Sequence, residues 1–367
     1  MTRDPRLRDV RACGRPLRGG RLRDRRRRRL ARGRLGGPAI ARLLAGLFAG
    51  LLATGHPGAA RAAPALSDPV ESALPDSVEP ALPEAVERAL PGAAETERSL
   101  ELKVLSYNVK GLPLLTDLDR LKRIGEILAE RRRRGDEPDV VVLQEAFARK
   151  AKRVRSRAGY PYAIRGPQEG GLFANSSGLE VLSNHPIVAG YQRRFDDCAF
   201  PECWVAKAIV GVEVELPGVP VPVQIFTTHL QADTVNEGVR RNQIDDIAVF
   251  LRRIPFGHAP AIFAGDFNFK PKHASYHKFL RELPVADAGR ICLATADCEI
   301  VLDPERMDWR DVWKTSNDRH FYYQPPDGSI RIEPIRVIRN FAERIDGGEG
   351  GFLSDHWGYE VHYRIRW

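Results

Sequence analysis

No stretch of this chain is long and uniformly apolar enough to make a comfortable membrane span, since the longest candidate, residues 39–53, is short and broken by Arg42. Excess charge is also missing where a folded domain would carry it. The formal net charge of +9 suggests a nucleic-acid partner until it is located. Residues 1–62 hold 17 Arg against 3 Asp, and residues 63–100 hold two Arg against eight acids, which leaves only +1 for residues 101–367. The basic balance therefore belongs to the N-terminus and does not report on the substrate. Cysteine is sparse as well. Apart from Cys13, the four cysteines form two close pairs, Cys198 with Cys203 and Cys292 with Cys298. Neither pair has the two-residue gap of a zinc site and no His pair lies nearby, so zinc is the rival reading. In an oxidising compartment the spacing predicts local disulfides 198–203 and 292–298, the preferred one of three connectivities.

What is present begins with an export pattern. A basic stretch ending in Arg25–Arg29, Arg32 and Arg34 precedes the apolar run, and Ala60-Arg61-Ala62 offers small residues for cleavage. Residues 1–62 are expected to be an export signal and the product to be secreted or periplasmic. Residues 65–96 form an imperfect eight-residue repeat (ALSDPVES, ALPDSVEP, ALPEAVER, ALPGAAET). Proline in every unit blocks a continuous helix, so residues 63–100 read as an acidic, extended linker.

From residue 101 short apolar runs alternate with amphipathic stretches. Strands are expected over Leu102–Tyr107, Asp139–Leu143, Leu179–Ser183, Val205–Leu216, Val221–Thr228, Ala261–Ala264 and His356–Ile365, with helices over Asp119–Arg134 and Val235–Arg253. Some strands are uniformly apolar and others alternate. This predicts one α/β domain, residues 101–367, with sheet packed on sheet and helices outside.

Several of these runs end alike, in a polar or ionisable residue. Val104-Leu-Ser-Tyr-Asn108 ends in Asn, Val140–Glu145 in Glu, Val223–His229 in His and Ala261–Asp266-Phe-Asn268 in Asp-x-Asn, while Ser354-Asp355-His356 sits before the last strand. One such residue alone is more often a turn or cap residue. Together they are the residue types a metal-assisted phosphate site needs. A hard cation takes carboxylate and amide oxygens, for which Glu145, Asn108 and Asp355 are candidates. His356 suits a general base, Asp266 could orient water, Asn268 could donate to a developing oxyanion, and His229 is a second donor or acid.

These motifs, in this order, resemble the endonuclease/exonuclease/phosphatase superfamily across residues 101–367. The resemblance implies a four-layer α/β/β/α sandwich, two packed mixed β-sheets flanked by helices, and Mg²⁺- or Mn²⁺-dependent attack of water on phosphorus. It implies Glu145 as main metal ligand with Asn108 its neighbour, Asp266 and Asn268 as water and phosphate positioners, and His356 as base with Asp355 beside it. The family also carries an Asp that supports the catalytic His. Asp318, in Asp318-Arg319-His320-Phe321, is preferred for that role over Asp346.

Within the superfamily, Asp197–Lys207 and Thr228-His-Leu-Gln-Ala-Asp233 resemble the sphingomyelinase-like branch, with Lys207 as a candidate phosphate contact. The expected function is a secreted phosphodiesterase acting on a phosphate ester, a phospholipid at a membrane surface first. The alternatives are a secreted nuclease and a phosphomonoesterase, and a non-enzymatic binding module is disfavoured by the complete set of acids, amides and imidazoles. Arg131–Arg134 is read as a solvated helix end. Trp309, Trp313, Phe321, Tyr322 and Tyr323 are candidates for membrane docking, although runs of this kind more often belong to a core.

Overall fold

A computed structural model of the chain describes residues 97–112, 118–168, 176–302, 308–342, 344–345 and 351–367. The expected export signal (1–62), residues 63–96 of the linker and Asp346 lie outside the described residues. The elements run β1 (Ser99–Asn108), α1 (Leu118–Arg134), β2 (Val140–Gln144), α2 (Ala148–Ala158), β3 (Tyr162–Arg165), β4 (Glu180–Ser183), β5 (Ile187–Arg194), β6 (Ala208–Val214) and β7 (Val223–His229). They continue as α3 (Glu237–Leu251), β8 (Ala261–Asp266), α4 (Ala274–Glu282), β9 (Ala286–Asp287), α5 (Ala288–Ala294), β10 (Glu299–Val301), α6 (Trp309–Thr315), β11 (Asp318–Tyr323), β12 (Arg331–Asn340) and β13 (Gly358–Arg366).

The strands form two mixed sheets. A 7-stranded sheet has the order β10-β12-β13-β1-β2-β4-β3, and a 6-stranded sheet has the order β5-β6-β7-β8-β11-β9. Uniformly apolar strands lie in the middle, as with Val140–Leu143, while β5 alternates buried and exposed residues at an edge. Val104, Val142 and Val181 of one sheet meet Val210, Ile225 and Ile262 of the other in a dry central layer. Outside the first sheet, Leu121, Ile124 and Leu128 of α1 cover Leu105, Val141 and Leu143. Outside the second, Ile244 and Ile247 of α3 and Phe279 of α4 cover Phe226, Phe263 and Phe321. The result is the expected α/β/β/α sandwich. Each large side chain so buried contributes about 1.5–3 kcal/mol, and a truncation such as Phe279→Ala costs about 3–5 kcal/mol.

Two close approaches set the register of the site-bearing strands and of the helix layer. Parallel β7 and β8 pair Thr228 with Gly265 and His229 with Asp266. A Cβ at Gly265 would lie 2.4 Å from the Thr228 carbonyl oxygen, so only glycine fits there. At the helix layer, a Cβ at Gly125 of α1 would lie 2.6 Å from the Val154 carbonyl oxygen of α2.

One reading of the sequence changes. The end of α1 is not uniformly solvated, because Arg131 is buried over β13 and donates to Glu360 through Nη1 at 2.5 Å and Nη2 at 3.0 Å. A carboxylate inside a sandwich requires a counter-charge, and the last turn of α1 passes over it. Arg133 and Arg134 are exposed as expected. The aromatics weighed for membrane docking belong to the core, as runs of this kind more often do: Trp309, Phe321 and Tyr323 are buried, and Trp313 and Tyr322 pack against the hydrophobic clusters. Both expected disulfides form, Cys198–Cys203 and Cys292–Cys298.

Candidate active site

Five strand ends and one loop converge. Parallel pairing of β1 with β2 puts Asn108 opposite Gln144, one residue before Glu145. Parallel β7 and β8 bring His229 beside Asp266, and antiparallel β11 pairs its first residue, Asp318, with Asp266. The segment before β13 carries His356. Its anchor is Ser354, whose hydroxyl donates to the Asn108 carbonyl at 2.8 Å and accepts from the His356 N–H at 3.3 Å.

Asn108 joins the two sheets. Its Nδ2 donates to Glu145 Oε1 at 3.0 Å and to Asp266 Oδ2 at 3.1 Å. The other Asp266 oxygen accepts the Asn268 N–H at 3.0 Å, and Asn268 Nδ2 donates to the Leu230 carbonyl at 2.9 Å. Glu145 (φ 53°) and Asn268 (φ 51°) both sit in the left-handed region. Asn tolerates that region, but for Glu it is uncommon. The Glu145 backbone is held there by its neighbours, its carbonyl accepting from the N–H groups of Gly111 and Phe147 at 3.0 Å each. Strain retained at a polar convergence is a feature of functional sites.

His356 Nδ1 lies 2.9 Å from Asp318 Oδ2, an imidazole oriented by a buried carboxylate. Its Nε2 is 3.7 Å from Asp266 Oδ2, and His229 Nε2 is 3.6 Å from that same oxygen. Two imidazoles thus aim at one carboxylate oxygen from just beyond hydrogen-bonding distance. Their charge states diverge. Burial alone would hold His356 neutral, but Asp318 and then Asp266 overcome it and push the pKa up to about 11. At His229, burial, the Lys207 ammonium and the charged His356 all act downward, so that imidazole is neutral. Burial raises Asp266 to about 6 against the opposing pull of His356, and burial raises Glu145 as well. Neighbouring titratable groups with opposed shifts mark a site where proton transfer is arranged.

The donor set fits a divalent cation. Glu145, Asp266 and Asp318 are three enclosed acids whose nearest positive charge is the one His356 imidazolium, with the Lys207 ammonium farther off, so the cluster is short of counter-charge. Glu145 offers the carboxylate oxygens that Mg²⁺ takes, while Asn108 beside it turns its Nδ2 to the acids and accepts the Lys110 N–H on its oxygen at 3.0 Å. Ligating atoms of Asp266, Asp318 and His356 also lie within 4.8 Å of one another. The hydrogen bond between Asp318 and His356 Nδ1 commits part of that trio, so the Glu145 side is the better seat.

Two expected residues are placed differently. The Asp355 carboxylate faces Lys110 Nζ at 2.8 Å and is about half exposed. Lys207 is buried, with Nζ 2.9 Å from Glu202 Oε2 and donating to the Leu230 carbonyl at 3.0 Å. Its charge still reaches Glu145, His229 and Asp266. Two contributors went unread. Ser316 Oγ accepts from the Asp318 N–H at 3.1 Å, a short-range turn visible as Ser-x-Asp. Buried Arg120 donates to the carbonyls of Val109 (2.9 Å), Lys110 (3.0 Å) and Leu353, fastening the end of β1 to the His356 segment. Only its place beside Leu121 on a helix's buried face hinted at this.

A sequence model of the Endonuclease/Exonuclease/phosphatase family matches residues 105–356, from within β1 to His356 itself. The chain belongs to that family. No curated protein sequence matches. Among solved structures, the endonuclease/exonuclease/phosphatase fold seen here is similar to D. rerio TDP2 complexed with single-strand DNA product, at 20% identity and TM-score 0.54 over 72% of this chain and 98% of that one. It is similar to sphingomyelinase C from Streptomyces griseocarneus, at 22% identity and TM-score 0.53 over 72% and 99%. It is also similar to a mutant of Staphylococcus aureus beta toxin with bound magnesium ions, at 19% identity and TM-score 0.52 over 71% and 99%. At these identities the likeness shows the fold.

Proposed function

We propose that the chain is a secreted, divalent-metal-dependent phosphodiesterase of the sphingomyelinase-like kind, cleaving a phospholipid head group. The observation that carries the hydrolytic reading is the pair of imidazoles facing the same Asp266 oxygen, one of them oriented by Asp318. A cation held by Glu145 would neutralise phosphoryl oxygen charge. The chain's own groups supply the proton inventory. Asp266, raised to about 6, accepts a proton from the attacking water near neutral pH. His356, held charged, donates from Nε2 toward the phosphoryl or leaving oxygen, with Asp318 fixing its other nitrogen. In this scheme His356, expected as a base, begins the cycle as a donor. His229, neutral, offers a hydrogen bond to the substrate, and Asn268 holds Asp266 in line.

The lipid reading rests on the near-neutral charge of residues 101–367, the two disulfides, the export pattern and the resemblance of residues 197–207 and 228–233 to the sphingomyelinase-like branch. The likeness to a DNA-processing neighbour keeps a secreted nuclease as the second reading. The test is hydrolysis of sphingomyelin liposomes and of DNA in parallel, with Mg²⁺ and an EDTA control. Release of phosphocholine abolished by EDTA is expected. DNA cleavage alone would move the chain to the nucleases, and turnover of neither would overturn the reading.

A further inference from the structure

Soluble domains rarely leave Trp and Phe uncovered, yet Phe200 is 73% and Trp204 71% exposed, and Val235 on the adjoining loop is 88% exposed. These are the most exposed large apolar side chains among the described residues. The two rings stand edge to face, 5.3 Å apart. They rise from a rigid base. The Cys198–Cys203 disulfide closes the loop, the Ala199 N–H donates to Gln231 Oε1 at 2.9 Å, and the Ala232 N–H donates to Glu202 Oε2 at 2.9 Å. The exposed aromatics are thus held in place in the free protein, and little order remains to be imposed when they are buried.

The base connects to the site. Glu202 Oε2 also meets Lys207 Nζ at 2.9 Å, Lys207 binds the Leu230 carbonyl, and Asn268 Nδ2 binds that same carbonyl. The aromatic edge therefore lies one shared carbonyl away from the Asp266–Asn268 turn. Its charge is specific. Segments 195–207 and 230–237 carry Asp196, Asp197, Glu202, Asp233 and Glu237; Arg193 pairs with Asp196 at 2.9 Å and buried Lys207 with Glu202, which leaves Asp197, Asp233 and Glu237 as the acids of the rim. An acidic rim repels a polyanion or an anionic lipid surface. It complements a phosphocholine surface, where the trimethylammonium groups lie outermost and also favour aromatic faces.

We propose that the 198–204 loop, together with the Val235 turn, is an insertion edge that seats the active site on a choline-headed, zwitterionic bilayer. This deepens the lipid-phosphodiesterase reading and rests on it for the substrate, though not for the act of docking. Trp and Phe enter the interfacial layer while the carboxylates stay among the head groups.

The test uses the full chain and phosphatidylcholine vesicles brominated in the acyl chains. Trp204 is the strongly exposed member of the 5 tryptophans. Vesicles should quench tryptophan fluorescence in the wild type, and Trp204→Phe should remove that quenching while keeping vesicle binding. The Phe200→Ser/Trp204→Ser variant should lose about tenfold or more in vesicle affinity. Its turnover of a soluble p-nitrophenyl phosphodiester should stay at the wild-type level, which also shows that it folds. Equal quenching in wild type and Trp204→Phe, undiminished binding by the double variant, or stronger quenching by brominated phosphatidylglycerol would each overturn the proposal. Quenching without hydrolysis of any diester would leave docking standing and remove the phosphodiesterase reading instead.

Discussion

Two buried charge clusters sit on the same scaffold and behave in opposite ways. At the helix-covered face of the first sheet, Arg131 forks onto Glu360, which also meets His362 Nε2 at 2.8 Å, while His362 Nδ1 meets Glu101 at 2.7 Å. There Glu360 is held down to about 2, because hydrogen bonds from His362 and Arg131 outweigh the burial that would raise it. At the strand ends, Asp266, Asp318 and Glu145 surround one charged imidazole, and burial lifts Asp266 and Glu145 instead. The first cluster has the cations it needs, and the second is short of them. A balanced cluster holds a fold together, whereas an acid-rich one awaits a ligand.

The largest effect should come from breaking the second cluster. Asp266→Asn and His356→Ala should each lower kcat/KM by about a thousandfold or more, a loss of roughly 4 kcal/mol of transition-state stabilisation. Urea unfolding should show stability unchanged or increased for Asp266→Asn, which removes one of the crowded acids, and lowered for His356→Ala, which strands the buried Asp318. Near-wild-type turnover in either variant would sink the assignment. Arg131→Met should do the reverse, costing about 3–5 kcal/mol in urea unfolding because it strands Glu360, while activity per folded molecule persists.

Acid should separate the clusters next. Glu360 has a folded-state pKa of about 2 against an ordinary 4.5, so its stabilisation is complete above about 4.5 and is lost as pH falls from there through 2. The loss amounts to roughly 3 kcal/mol at 1.4 kcal/mol per unit. Glu360→Gln should flatten that part of the stability–pH curve. Magnesium should act on the other cluster alone, adding about 2.7 kcal/mol at a hundredfold excess over its Kd, reversibly with EDTA and to the same extent in Arg131→Met. The smallest effect is expected at Asp355, whose partly exposed pair with Lys110 is worth at most about 1 kcal/mol. If Asp355→Asn abolishes the magnesium increment, Asp355 is a ligand after all.

Chemistry that sits at the end of a buried strand was legible in the sequence. Asn108, Glu145, His229 and Asp266 each close an apolar run, so period and polarity marked them together. Asp318, preferred over Asp346 as the partner of His356, opens a strand and lies 2.9 Å from Nδ1 of that imidazole. Roles set by tertiary partners were not legible. Lys207 looked like a strand lysine facing substrate and instead lies beneath a disulfide loop. Arg131 looked like one of four equivalent helix-end arginines, and only the passage of β13 below it sets it apart. Helix α2 escaped notice because Ala151, Val154 and Ala158 are a thin apolar stripe among six Lys and Arg. Strand β5 was missed because its alternation carries few large apolar residues.

The close contact between Gly265 and the Thr228 carbonyl has a bearing on how this protein would look in a saturation screen. Any side chain at 265 pushes β7 away from β8, and with it His229 away from Asp266. A residue with no functional group should therefore score among the least replaceable positions. Read by turnover alone, such a map would count as chemistry what is only clearance, the absence of a methyl group between two strands.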